Sequence, residues 1–168
     1  MKVGFIGTGT MGQPMLANLV KKGFEVVAFD VVPGALDIAV RLGAGRAGSA
    51  GEAAANCDLV ITMLPSSANV EGAYLGEGGI IESTPAGQLC VDMSTIDPGT
   101  SQRVAARLQE RGLRFLDAPV SGGVGGATAG TLAAAMPAIW KKPGGRWLPW
   151  APTSSMSGRA RSPSSATT

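Results

Sequence analysis

Histidine is absent from the 168-residue chain. That removes the usual general acid–base side chain near neutral pH, so any proton transfer must be carried by another group. Only two cysteines occur, Cys57 and Cys90, each at the edge of an apolar run. They read as buried, reduced thiols, and without a Cys/His cluster no structural zinc or other metal site is predicted. No run of about 18 apolar residues exists, so no membrane span is expected. The opening MKVGFIG has neither the basic region nor the cleavage site of a signal peptide, and a cytoplasmic location is the expectation. What is present, 45% apolar and 15% charged residues, fits a soluble globular chain with room for one full core.

The formal charge of +2 averages two unlike segments. Residues 1–135 hold all 12 acidic residues but only nine basic ones, a net charge of −3. The last 33 residues hold five basic residues, no acid and all three tryptophans, Trp140, Trp147 and Trp150. Such a break marks a boundary. A basic, aromatic tail is one way to bind nucleic acid, but this one has five prolines and no helical or alternating pattern to scaffold its charge. Neither a nucleic-acid nor a membrane partner is expected.

The body alternates strand and helix. Lys2–Ile6, Glu25–Asp30, Leu59–Leu64, Leu89–Met93 and Leu113–Leu116 read as short buried strands. Met11–Lys22, Pro33–Leu42, Ala68–Leu75 and Pro98–Arg111 read as helices, with Gly23, Gly43 and Gly112 at their ends and Pro98 in a first turn. Near-continuous apolar strands between amphipathic helices predict an α/β fold, a Rossmann-type doubly wound and mainly parallel sheet over residues 1–132. From Gly122 to Gly130 the chain turns small and glycine-rich.

Gly7-Thr8-Gly9-Thr10-Met11-Gly12 is a G-x-G-x-x-G run placed after a strand and opening a helix. Gly7 permits the tight turn, Gly9 lets the backbone approach a pyrophosphate, and Gly12 lets helix and strand pack closely. The helix start offers free N–H groups to the phosphates. Asp30 ends the second strand 18 residues past Gly12. A carboxylate there can bond the adenosine ribose and repel a 2′-phosphate, which favours NAD over NADP. Ligands of an open α/β sheet bind beyond the carboxyl ends of its strands, so Pro65, Ser94 and Ser121, each following a strand, are expected along one crevice.

The run Phe5–Met15, with Asn18-Leu19, resembles the opening signature of the β-hydroxyacid dehydrogenases, with Thr8 where that family usually has leucine. Met63-Leu64-Pro65-Ser66-Ser67, with Asn69, is similar to the family's loop beside the adenosine and pyrophosphate. Asp92–Pro98 resembles its D-x-S-T segment, and Asp117–Gly123 its substrate motif. The resemblance implies an NAD cofactor held by Gly7 to Gly12, Asp30, Leu64, Pro65 and Asn69, with Thr95 beside the nicotinamide. It also implies that Ser121, Gly122 and Gly123 hold the carboxylate of a small 3-hydroxy acid. Details of the Met63 loop, Val70–Tyr74 and Gly122–Leu132 look most like the 3-hydroxyisobutyrate dehydrogenases, which oxidise the substrate to its semialdehyde. Tartronate semialdehyde reduction and a bare NAD-binding module are the alternative readings.

In this family a lysine from a later G-x-x-x-K-x-x-N motif relays the hydroxyl proton, and a long helical domain on which oligomers largely depend follows. No such motif occurs here. Lys21 and Lys22 end the first helix, roughly 15 Å from its cofactor end at about 1.5 Å per residue. Lys2 begins the first strand, and Lys141 and Lys142 belong to the tail. Back-translated one frame over, the tail gives forced alanine, glutamate and glycine codons at Met136-Pro137, Trp140-Lys141 and Trp150-Ala151. The free third bases permit GGDAGDLEKARRPLAAVGADIINVG and then AKLCNN, which resemble the family's next segment and its catalytic helix. Residues from about 133 onward are therefore expected to be an out-of-frame, unstructured tail, and the chain to lack turnover.

Overall fold

A computed structural model of the chain describes residues 1–134; the expectations for the tail beyond them lie outside the described residues. Six strands form one parallel sheet in the order β3-β2-β1-β4-β5-β6: β1 Lys2–Ile6, β2 Glu25–Phe29, β3 Gly45–Arg46, β4 Leu59–Thr62, β5 Leu89–Asp92 and β6 Arg114–Asp117. The chain winds outward from β1 through β2 to β3, then returns to place β4 on the other side of β1. That reversal opens a crevice beyond the carboxyl ends of β1 and β4, where such sheets bind ligands.

The strand period of two sorts the side chains onto two faces. Val3, Phe5, Val26, Ala28, Leu59, Ile61 and Val91 enter one core with Leu16 and Leu19 of α1 (Gly12–Lys21) and Leu36 of α2 (Pro33–Arg41). Ile6, Val60 and Cys90 enter the other, with Val70 and Tyr74 of α4 (Ser67–Leu75) and Val104 and Leu108 of α6 (Pro98–Glu110). The expected doubly wound, mainly parallel sheet is the observed one. Both cysteines are buried and free; burial pushes the Cys90 thiol up to about 12. No helix among the described residues is long and apolar enough to cross a membrane.

Several short elements lie where the sequence has no apolar periodicity. The five-residue α3 (Ala50–Ala54) presses on β1 so closely that a Cβ on Gly4 would stand 2.3 Å from the Ala53 carbonyl oxygen. α5 (Ile80–Ser83) follows α4. The glycine-rich Gly122–Gly130 stretch contains a helix, α7 (Gly123–Ala129), bracketed by a two-stranded antiparallel ribbon of β7 (Val120–Ser121) and β8 (Ala133–Ala134). Asn18 of α1 holds α7 by donating from Nδ2 to the carbonyl oxygen of Ala127 at 2.7 Å.

Candidate functional site

A cleft of about 660 Å³ opens at the carboxyl ends of β1, β2 and β4. Gly7, Gly9, Thr10, Met11, Gly12, Asp30, Leu64, Pro65 and Asn69 all line it, nine of the positions expected to hold a dinucleotide. The three glycines divide the work physically. Gly7 has φ +95°, and a Cβ there would stand 2.2 Å from the Met63 carbonyl oxygen. At Gly12 a Cβ would stand 1.9 Å from the Gly7 carbonyl oxygen, so the close crossing of α1 over the turn requires glycine. Gly9 is exposed, with nothing among the described residues within 4 Å of its would-be Cβ. No contact from the described residues demands a glycine at 9, and the space it leaves belongs to the cleft. The start of α1 reaches the same wall through Met11 and Gly12, while the Gln13 N–H donates to the Gly9 carbonyl oxygen at 3.0 Å.

Asp30 bridges two loops. Its Oδ2 accepts from the N–H of Thr8 at 2.6 Å and from the Thr8 hydroxyl at 3.2 Å, while Oδ1 accepts from the N–H of Val32 at 2.8 Å. Thr8 itself is fully buried and does not line the cleft. The described lining contains two carboxylates, Asp30 and Glu77, and no lysine or arginine. Val31 and Val32, exposed to 79% and 56%, supply an apolar rim beside Asp30. This rim, together with Ser49, Glu77, Gly78 and Gly79 on the cleft wall, was not singled out from the sequence. A pair of valines immediately after the strand-ending Asp30 was the available signal for the rim.

Behind the cleft lies a buried polar network, also missed. Thr62 and Ser94 donate from their hydroxyls to Asp92 Oδ1 at 2.7 and 2.5 Å, and the Ser94 N–H donates to the same oxygen at 3.1 Å. The Ser94 oxygen accepts from the N–H of Leu64 at 2.9 Å. Because Thr62 gives its hydrogen to Asp92, the Tyr74 hydroxyl donates to Thr62, at 3.1 Å. Desolvation raises the Asp92 pKa, and these hydrogen bonds only partly oppose it. Ser94 thus follows its strand as expected, but its side chain turns inward to the network instead of lining the crevice. Thr95 is exposed on the loop after β5, and Ser121, Gly122 and Gly123 are exposed at β7 and the start of α7; none of the four lines the cleft.

Among known proteins, the model of the NAD binding domain of 6-phosphogluconate dehydrogenase matches residues 2–142. An NAD-dependent L-serine dehydrogenase of Pseudomonas aeruginosa is 47% identical over 131 residues, which are 78% of this chain and 44% of that protein. A 3-hydroxyisobutyrate dehydrogenase of the same organism is 47% identical over 130 residues, covering 77% of this chain and 44% of the relative. The solved structure of Mycobacterium tuberculosis 3-hydroxyisobutyrate dehydrogenase with L-serine superposes with a TM-score of 0.75 at 42% identity, over 79% of this chain and 45% of that one. The chain therefore spans less than half the length of these relatives. With the fold, the cleft and the matches in agreement, the chain belongs to the family of the NAD binding domain of 6-phosphogluconate dehydrogenase, as an NAD-binding Rossmann domain akin to those of the 3-hydroxyisobutyrate dehydrogenases.

Proposed function

We propose that this chain is the cofactor-binding half of an enzyme that oxidises a small 3-hydroxy acid, 3-hydroxyisobutyrate foremost, with NAD rather than NADP. The observation that carries the reading is the cleft itself: a glycine cradle and a strand-ending carboxylate face one space with no cation in its described lining. Gly7 to Gly12 and the start of α1 would take the pyrophosphate, and Asp30 the adenosine ribose. Leu64, Pro65 and Asn69 would border the adenosine side, with Thr95 beside the nicotinamide. NAD, when bound, accepts the hydride; the protein's part is to bind and orient it. Ser121, Gly122 and Gly123 are the residues to hold the substrate carboxylate, on a segment that Asn18 ties to the cofactor helix.

L-Serine is a second substrate reading, favoured by the L-serine dehydrogenase relative. It shares with 3-hydroxyisobutyrate a primary alcohol two carbons from a carboxylate, so one carboxylate cradle serves both.

Gly9→Ala tests the reading. The new methyl meets no atom of the described residues within 4 Å, so the thermal midpoint should hold while NAD affinity falls at least about tenfold, the effect of losing about 1.4 kcal/mol of contact. Equal NAD affinity in the variant, measured by calorimetric titration, would remove the cradle from the site.

A further inference from the structure

We propose that Thr8 is a positioning residue that sets cofactor specificity by clamping the Asp30 carboxylate. The inference rests on the reading of Asp30 as the ribose acceptor and goes beyond it. Thr8 is 0% exposed, so its hydroxyl must find a partner inside the protein. It finds Asp30 Oδ2, the oxygen that already accepts the Thr8 backbone N–H. A carboxylate oxygen offers about two acceptor sites, so Oδ2 is saturated by one residue. Among the described residues Oδ1 accepts only the Val32 N–H, which leaves its second site as the acceptor Asp30 can turn to a ligand.

The clamp therefore does two things. It fixes the carboxylate plane across the glycine turn and the strand end, so an incoming ribose hydroxyl meets a pre-oriented acceptor. It also keeps the charge from swinging aside for a phosphate. A phosphate at that hydroxyl would face the Asp30 charge with no compensating cation, since Val31 and Val32 follow Asp30 and Glu77 is the other charged group in the described lining. Thr8 acts through Asp30 and is not required to touch the cofactor with its side chain.

The test is to titrate the chain with NAD, NADP and an NAD analogue lacking the adenosine 2′-hydroxyl. Thr8→Val keeps the shape and the N–H bond but deletes the hydroxyl. Losing one hydrogen bond to a charged group, and a long one, should weaken NAD roughly 3–10-fold, while the deoxy analogue changes little and NADP binding holds or strengthens. Thr8→Ser should restore the wild-type ratio. If Val does not pack, Thr8→Ala carries the same expectation. Weakening of all three ligands alike would make Thr8 merely structural, and an unchanged NAD-to-NADP ratio would overturn the proposal. Asp30→Asn separates the two layers. If it weakens NAD while Thr8→Val does nothing, only the clamp fails; if it leaves NAD unchanged, the ribose reading itself fails.

Discussion

Thr62 and Asp92 are register partners at the ends of β4 and β5, and the Thr62 hydroxyl donates to Asp92 Oδ1 at 2.7 Å. Through Ser94 the same carboxyl reaches the N–H of Leu64, so one buried acid ties the loop after β5 to the loop after β4, whose Leu64 and Pro65 line the cleft. Its other oxygen, Oδ2, is buried without a hydrogen-bond partner among the described residues. One oxygen is crowded with donors and the other has none, a poor environment for a full negative charge.

The pH dependence of stability follows from that geometry. Burial raises the folded-state pKa of Asp92 above its ordinary value. The group's contribution is then fully present below the unfolded carboxylate value, about 3.9, and is lost as pH rises through the folded value. Asp92→Asn, which cannot ionise, should remove this slope. Relative to wild type, the Asn variant should gain stability steadily as pH climbs out of the acid range. Urea denaturation of both proteins between about pH 4 and pH 8 checks this, and parallel pH profiles would show that Asp92 stays ionised in the fold.

Much of this architecture was legible because long apolar runs and glycine ends carry strong periodic signals. β1, α1, α2 and α6 lie within a residue of where Lys2–Ile6, Met11–Lys22, Pro33–Leu42 and Pro98–Arg111 place them. The cradle and Asp30 were legible because each sits at a strand end, where chain order alone fixes position. α3 and α7 were not. Ala50-Gly51-Glu52-Ala53-Ala54 and Gly123-Val124-Gly125-Gly126 lack the large apolar residues that make a helical stripe; α3 forms by close packing of small residues, and α7 buries only Ala127 and is held by Asn18. α3 did have a signal: Ser49 accepts from the Glu52 N–H at 3.0 Å, and Glu52 reaches back to the Gly48 N–H at 2.7 Å, a variant of the capping box written in the sequence as S-x-x-E. The Asp92 network was hidden for a different reason. Thr62, Asp92 and Ser94 look like loop-edge polar residues, and only the register of β4 with β5 brings them together.

The two buried cradle glycines should separate cleanly from Gly9. Gly12→Ala forces a methyl to within 1.9 Å of the Gly7 carbonyl oxygen, so α1 must lift from the turn. The expected cost is that of overpacking, about 1–3 kcal/mol or more, together with loss of NAD binding. Gly9→Ala should lose binding alone. A urea midpoint for Gly12→Ala equal to wild type would mean that the turn yields without strain.

Asn18 makes a prediction about the second half of the site. Its Nδ2 donates to the carbonyl oxygens of Ala127 and Thr128, at 2.7 and 3.3 Å. Asn18→Ala removes these bonds and should cost about 1 kcal/mol, concentrated in α7 and the β7–β8 ribbon. Hydrogen exchange in residues 120–134 should quicken while β1 and β4 keep their protection. Uniform acceleration across the chain would show that Asn18 supports the whole fold and not this segment.

The last prediction concerns turnover. Removing a hydride from a primary alcohol also requires its hydroxyl proton to leave, and a positioned relay is typically worth about 10²–10⁴-fold in rate. The chain has no histidine. Lys2 pairs with Glu25 at 3.5 Å at the start of the sheet, the end opposite the cleft. Lys21 and Lys22 close α1 at the end remote from the cradle. Among the described residues, then, no lysine stands where it could take a proton from a substrate in the cleft, and the chain should bind NAD without reducing it in the presence of 3-hydroxyisobutyrate or L-serine. The measurement is NADH absorbance with the purified chain, paired with a calorimetric NAD titration, and then with a gene whose reading frame is shifted near Leu132. Binding without turnover in the first protein and turnover in the second is the expected pattern. Robust NADH formation by the chain as it stands would show that a group other than these lysines carries the proton. Silence in both proteins, with NAD bound, would move the error to the substrate.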